Sequence, residues 1–248
     1  MKVFSLIFAM LLSFGPVSAY DPMLIGGRPA LKGEFPEIVY IRSGNARCSA
    51  SVISPRGETG VILTAGHCVA DQGEIGPVSE LVDFVVGQTV YRAKCRQAPL
   101  YRAQTQDHDM ALCKVDKALD VVPASISGVG PMLGVQVTLT GYGCINPGGG
   151  AGNDGILRVG KAKVVQLPAG NDHWFYTKDR SALCFGDSGG PALLRVAKGR
   201  HTLIGVNSRG NIQDTSLMTA LFTTESKKFF EEFIVEQEVK ICGINQNC

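Results

Sequence analysis

No long run of one charge sign occurs in the 248 residues: 24 basic side chains stand against 22 acidic ones, for a net charge of +2. That balance leaves no electrostatic footprint for nucleic acid, and no segment resembles a helix that lies on a membrane surface. The four histidines, His67, His108, His173 and His201, are scattered, and no Cys-x-x-Cys occurs. Metal-ligand spacing is therefore missing, and neither a metal nor another cofactor is expected. A membrane-spanning stretch is lacking too, because the apolar run Val3 to Phe14 is shorter than the ~20 residues that a span requires. With Lys2 before it and Val17-Ser18-Ala19 after it, that run has the order of a secretory signal cut after Ala19. The chain is then a secreted protein, extracellular or periplasmic, free of the membrane once residues 1–19 are removed.

What is present fits export. A hydrophobic content of 45% supports one sizeable domain or two small ones, and eight cysteines, an even number, point to disulfides in an oxidising compartment. Short Val- and Ile-rich runs bounded by Gly, Pro, Ser or Asp predict strands at Ile38–Ile41, Ala50–Ile53, Val61–Thr64, Leu81–Val86, Thr89–Lys94 and Ala111–Val115. The same grammar returns at Gln136–Thr140, Ile156–Leu167, Ala192–Val196, Thr202–Asn207 and Ala220–Thr223. Pro147 to Gly155, rich in glycine, reads as a surface loop, and Val122 to Pro131 as the boundary between halves. One helix is expected, Ser226 to Glu238, with Phe229, Phe230, Phe233 and Ile234 at helical spacing and Thr224 as its cap. Many short strands in two similar halves with a terminal helix indicate an all-β protein of two barrels or sandwiches.

The chemistry centres on Cys184-Phe185-Gly186-Asp187-Ser188-Gly189-Gly190-Pro191. Glycines around Ser188 let the backbone turn sharply and a substrate approach, and the N–H groups of Gly186 and Ser188 can point at one spot as an oxyanion hole. Alone, such a run is also an ordinary turn. A serine nucleophile needs a base, most often a histidine held by a carboxylate. His67, in Leu63-Thr64-Ala65-Gly66-His67-Cys68, and Asp109, in Asp107-His108-Asp109-Met110-Ala111-Leu112, are the candidates, with Asp107 the rival carboxylate.

Four motifs in order, Leu24-Ile25-Gly26-Gly27, Thr64 to Cys68, Asp109 to Leu112 and Gly186 to Pro191, make the chain resemble the trypsin/chymotrypsin family of serine proteases. Phe35-Pro36, Gly141-Tyr142-Gly143 and Ser208-Arg209-Gly210 add to the likeness, which covers nearly everything after Met23. The resemblance implies two six-stranded antiparallel β-barrels and a C-terminal α-helix, with residues 24–125 mainly in the first barrel and 126–248 in the second barrel and helix. His67, Asp109 and Ser188 would form the triad of an endopeptidase acting on protein or peptide substrates as a monomer. Residues 20–23 would be a short propeptide. An activating protease would cut between Met23 and Leu24, and Asp187 would pair with the freed α-ammonium. Met23 departs from the Arg or Lys usual at such a site.

The family's specificity pocket maps to Ala182 at its base, with Leu183, Asn207, Ser208, Arg209, Gly210 and Ala220 around it. Ala182 in place of an acid implies small or medium uncharged side chains before the scissile bond. Arg209 stands where the family usually has Trp, either as a solvated arginine packing its stem or as an attractant for acidic substrates. The resemblance pairs Cys48 with Cys68, and Cys95 with Cys113 would join two strands that pair in the family's first barrel; among the other pairings that stay open, Cys242 with Cys248 would close the short tail and leave Cys144 for Cys184, since no cysteine lies between Gly210 and Ala220. The rival reading is a binding, adhesion or toxin-like protein on the same fold.

Overall fold

A computed structural model describes residues 24–43, 46–69, 81–150, 154–170, 172–196 and 201–248. The expected signal and propeptide, Met23 included, lie outside the described residues, as do 151–153 of the glycine-rich loop.

Alternating apolar and polar side chains leave a strand on opposite faces, so one face is buried while the other meets solvent. The first half holds β1 (Arg28–Pro29), β2 (Ile38–Ser43), β3 (Ala46–Val52), β4 (Thr59–Thr64), β5 (Leu81–Val86), β6 (Thr89–Gln97) and β7 (Ala111–Ala118); β6 follows this rule, whereas β4 is buried on both faces from Gly60 to Thr64. The second half adds β8 (Ser125–Ile126), β9 (Gln136–Gly141), β10 (Arg158–Gln166), β11 (Trp174–Lys178), β12 (Pro191–Arg195), β13 (His201–Gly210) and β14 (Thr215–Ala220), then α1 (Thr224–Gln237). Strands β2-β3-β4-β7-β6-β5 close into one barrel. Strands β10-β11-β14-β13-β12-β9 close into another through the β9–β10 pairing. The expected pair of six-stranded antiparallel barrels with a C-terminal helix is therefore present, and closure removes the edges that open sheets expose.

Each end of the chain crosses to the other barrel. β1 pairs with β10, Arg28 opposite Val159, so the segment after Leu24 belongs with the second barrel rather than with its sequence neighbours. α1 leans on the first barrel instead. Arg96 of β6 forms ion pairs with Glu232 and Glu236 and holds its guanidinium 5.6 Å from the Phe229 ring centroid, and Lys114 of β7 donates to the Gln237 carbonyl at 2.9 Å. β8 pairs in parallel with β13 at the change from one barrel to the next.

Three local expectations change. β11 and most of β14 were not foreseen. Ala220–Thr223 is no strand, since β14 ends at Ala220. The cap is Thr223, not Thr224: its backbone is extended and its Oγ1 accepts the Ser226 N–H at 3.2 Å, as an N-cap requires.

Disulfides join Cys48 to Cys68, Cys95 to Cys113, Cys144 to Cys184 and Cys242 to Cys248, the same four pairs that the sequence suggested. Cys95 and Cys113 sit opposite one another in the β6–β7 register. The helix's stripe of Phe229, Phe230 and Phe233 is buried in the larger core. Phe230→Ala should cost about 3–5 kcal/mol, the usual range for emptying such a site, read as a lower midpoint in urea unfolding with the slope unchanged.

Candidate active site

The seam between the barrels is built from loops that follow or precede strands. After β4, Gly66–Cys68 forms a single 3-10 turn anchored by the Cys48–Cys68 bridge. Gly66 sits on Tyr101, where a Cβ would come within 3.0 Å of the ring, and Gln97 Nε2 donates to its carbonyl at 2.8 Å. These contacts set the ring of His67, whose Nδ1 lies 2.7 Å from Asp109 Oδ2, while its backbone N–H donates to Oδ1 at 2.9 Å. Asp109 is fully buried just before β7. Its Oδ2 also accepts the Ser208 hydroxyl at 2.6 Å, and its carbonyl accepts Thr219 Oγ1 at 3.1 Å, both from the second barrel. Asp107 instead bridges to Arg102 through the backbone. Burial pulls the His67 imidazole down. The charge of Asp109 and its hydrogen bond outweigh that, and despite an opposing contribution from Arg209 the net direction is upward.

Ser188 precedes β12. Gly186 and Gly189 have φ of +103° and +81°, and a Cβ at Gly189 would fall 2.2 Å from the Ser49 carbonyl oxygen. Ser49 of β3 holds this loop from the first barrel: its N–H donates to the Ser188 carbonyl at 2.7 Å and its Oγ to the Gly186 carbonyl at 2.8 Å. The Ser188 hydroxyl donates to the Ser208 carbonyl at 3.4 Å, so its hydrogen bond here is not to His67. Among the described residues, the N–H groups of Gly186 and Ser188 have no acceptor. They are two free donors beside the hydroxyl.

Beneath them Asp187 is fully buried, accepting the N–H groups of Gly143 at 2.8 Å and Cys184 at 2.9 Å. Burial pushes its carboxyl up to about 7 against the downward pull of those bonds and of Arg158. Ionising it therefore costs stability as pH rises from the ordinary carboxylate range through about 7. Arg158, also fully buried, pairs with Asp154 at 2.7 Å and donates to the Ile156 carbonyl at 3.0 Å. The Leu24 side chain is buried in the second barrel, and the adjacent Ile25 carbonyl accepts the Ala182 N–H at 3.0 Å.

A cavity of about 340 Å³ opens beside Ser188 and His67. Leu183, Ser208, Arg209 and Gly210 line it as expected, whereas Ala182, Asn207 and Ala220 do not reach it. Ala182 and Ala220 are sealed in apolar clusters. Asn207 turns inward, its Nδ2 donating to the carbonyls of Thr140 at 3.0 Å and Asp187 at 3.2 Å, so it braces the loop rather than the cavity. Arg209 packs: its guanidinium lies 5.0 Å from the Trp174 ring centroid and bonds to the Thr105 carbonyl and Gln106. Residues missed in the sequence are Ser49, Arg158, Gln106, Phe185 and Ile212; Phe185 lies within the Cys184–Pro191 run, and the others sit in no run that marks them out. A groove of about 650 Å³ near Phe35, Tyr91 and Tyr142 is larger but contains neither Ser188 nor His67.

Comparison with known proteins follows the same lines. The family model described as Trypsin matches residues 24–230. The chain is 31% identical over 189 residues to serine protease SP24D of Anopheles gambiae, covering 69% of this chain and 67% of that one. To a trypsin-like protease of Streptomyces glaucescens it is 27% identical over 221 residues, 80% of this chain and 78% of the other. The match to serine proteinase stubble of Drosophila melanogaster, 27% identical over 232 residues, takes in 77% of this chain but only 28% of that protein.

Next to Asp109, His108 stacks on His173 with ring centroids 3.3 Å apart. Burial and His173, with a smaller push from Arg102, hold His108 down at about 4 although Glu225 and Asp107 oppose them; burial also lowers His173. A folded His108 that protonates later than an unfolded one gives stability that is whole above the ordinary 6.5 and is lost as pH falls toward 4. His108→Asn, which tolerates the φ of +47° at that position, should flatten this acid limb relative to the unaltered protein in urea melts taken across that window.

Proposed function

Because the chain belongs to the trypsin family of serine proteases, we propose that it is a secreted serine endopeptidase that cleaves protein or peptide bonds through an acyl-enzyme on Ser188. The observation that carries this reading is that Ser188 and His67, the latter paired with Asp109, line one cavity, while the N–H groups of Gly186 and Ser188 have no acceptor among the described residues. In the reaction His67 takes the proton of Ser188 as its oxygen attacks the scissile carbonyl. Asp109 orients the ring and stabilises its charged form, and the oxyanion settles on the N–H groups of Gly186 and Ser188. His67 then gives the proton to the leaving amine, and water repeats the sequence to release the acid. A rotation of the Ser188 side chain from the Ser208 carbonyl toward His67 precedes attack.

The described residues that line the cavity include no carboxylate, so a cationic side chain entering it would be desolvated without a partner. An uncharged small or medium residue is the natural substrate side chain. Cleavage before Leu24 would free an ammonium for Asp187, whose raised carboxyl gains most from a nearby cation. That amine would titrate above its ordinary ~7.7–8, its stabilisation present below that range and lost as pH rises through the folded value. Four disulfides fit an extracellular location. The rival reading, an adhesion or toxin-like protein, is not favoured, because it leaves the paired His67 and Asp109 without a purpose.

A fluorophosphonate should label mature protein at Ser188 and leave Ser188→Ala untouched; an unlabelled, correctly matured protein would sink the reading. Asp109→Asn should lower kcat by about 10⁴-fold with KM little changed. Chain that keeps residues ahead of Leu24, or whose Leu24 amine is acetylated, should lose most activity in the same peptide assay; equal activity would reject the ion-pair role of Asp187.

A further inference from the structure

We propose that Ile212 is the specificity-determining residue of the cavity beside Ser188, closing it to all but small side chains such as those of Gly, Ala and Ser before the scissile bond. The inference rests on the serine-protease reading of that cavity. β13 and β14 are joined by the short turn 211–214, which one side chain organises. Asn211 Oδ1 accepts the N–H groups of Gln213, Asp214 and Thr215, each at 3.0 Å, and its Nδ2 donates to Asp214 at 2.9 Å. Held in this turn, Ile212 has φ of +56°, a left-handed conformation that a β-branched residue rarely adopts. Its carbonyl accepts the Gly148 N–H at 3.0 Å, tying the turn to the loop that follows Cys144.

The unfavourable backbone is matched by what the side chain does. Ile212 packs on Ile25, Ala182 and the two half-cystines Cys144 and Cys184. Ala182, the expected base, is left with no exposure, and the cavity instead meets Leu183, Cys184 and Ile212. Deeper still, the Leu183 N–H donates to Ser216 Oγ at 2.9 Å, so the space behind is occupied by the protein's own bonds. A side chain entering beside Ser188 therefore meets the isoleucine where a long residue would have to lie. A glycine at this position would relieve the backbone and empty the space in one step.

The test uses mature protein with its disulfides intact and a peptide-amide series that differs only before the scissile bond, as Ala, Val, Leu or Phe. Unaltered enzyme should favour Ala. Ile212→Gly, and Ile212→Ala as a second variant in case the first misfolds, should raise the Leu-to-Ala ratio of kcat/KM at least tenfold while Ser188 is still labelled by the fluorophosphonate. Labelled variants with an unchanged ratio, or an unaltered enzyme that already prefers Leu or Phe, would overturn the role of Ile212 and leave the protease reading standing. If both variants lose labelling while the unaltered protein keeps it, Ile212 supports the oxyanion loop and the pocket proposal falls. Unaltered protein that is never labelled defeats the protease reading itself, and the pocket with it.

Discussion

A carboxylate shut away from water must find all its partners within the protein, and Asp109 finds them on both sides of the seam. His67 reaches it twice from the first barrel, and Ser208 reaches it from β13 of the second, 99 residues away in sequence. Because Thr219 of β14 also holds its carbonyl, neither barrel can shift against the other without stranding a buried polar group. Positioning of the imidazole and docking of the barrels are thus one interaction. The crossing ends of the chain serve the same union, β1 lying on the second barrel and α1 on the first.

Across the seam the dependence runs through Ser49. Its hydroxyl donates to the Gly186 carbonyl and accepts the Tyr142 N–H at 2.9 Å, so one side chain of β3 sets two loops of the second barrel. The glycines around Ser188 answer to packing as much as to conformational freedom. A Cβ at Gly190 would fall 2.3 Å from the Thr140 carbonyl oxygen, and one at Gly143 would fall 2.5 Å from the Asp187 carboxyl carbon. The loop approaches its supports so closely that only hydrogen atoms fit between them.

The triad candidates were legible because each lies in a short run whose neighbours share its job: a strand end before His67, a strand start after Asp109, glycines about Ser188. Barrel strands rich in Val and Ile were legible as short apolar or alternating runs bounded by turn residues. β11 was missed although Trp174-Phe175-Tyr176-Thr177-Lys178 alternates buried positions with half-buried or exposed ones, because its aromatic and polar residues do not look like the Val- and Ile-rich runs elsewhere. Ser49 and Arg158 were invisible for a deeper reason. Ser49 meets its Gly186 partner across 137 residues, and Arg158 is a fully buried guanidinium at the start of a strand, where the sequence leads one to expect an exposed one. In the pocket, the expected base Ala182 and wall residue Ala220 are both shut in apolar clusters, and Ile212, from the four-residue turn between β13 and β14, lines the cavity instead.

Cys184 shows how the departures from the family pattern belong together. Without a cysteine between Gly210 and Ala220, that hairpin cannot be stapled to Cys184, and the wall needs another support. Cys144 takes the half-cystine and fixes the loop that follows it, whose Gly148 N–H then binds the Ile212 carbonyl. Asn211 supplies from its side chain the bonds that a tight turn lacks. The same bridge anchors Cys184, whose N–H donates to Asp187, so the wall of the cavity and the loop that presents Ser188 share one covalent anchor. A change in wiring that began as a missing cysteine therefore reaches the cavity wall and the N–H groups of Gly186 and Ser188 together, and the buried carboxyl of Asp187, lifted to about 7, sits where those two constraints meet.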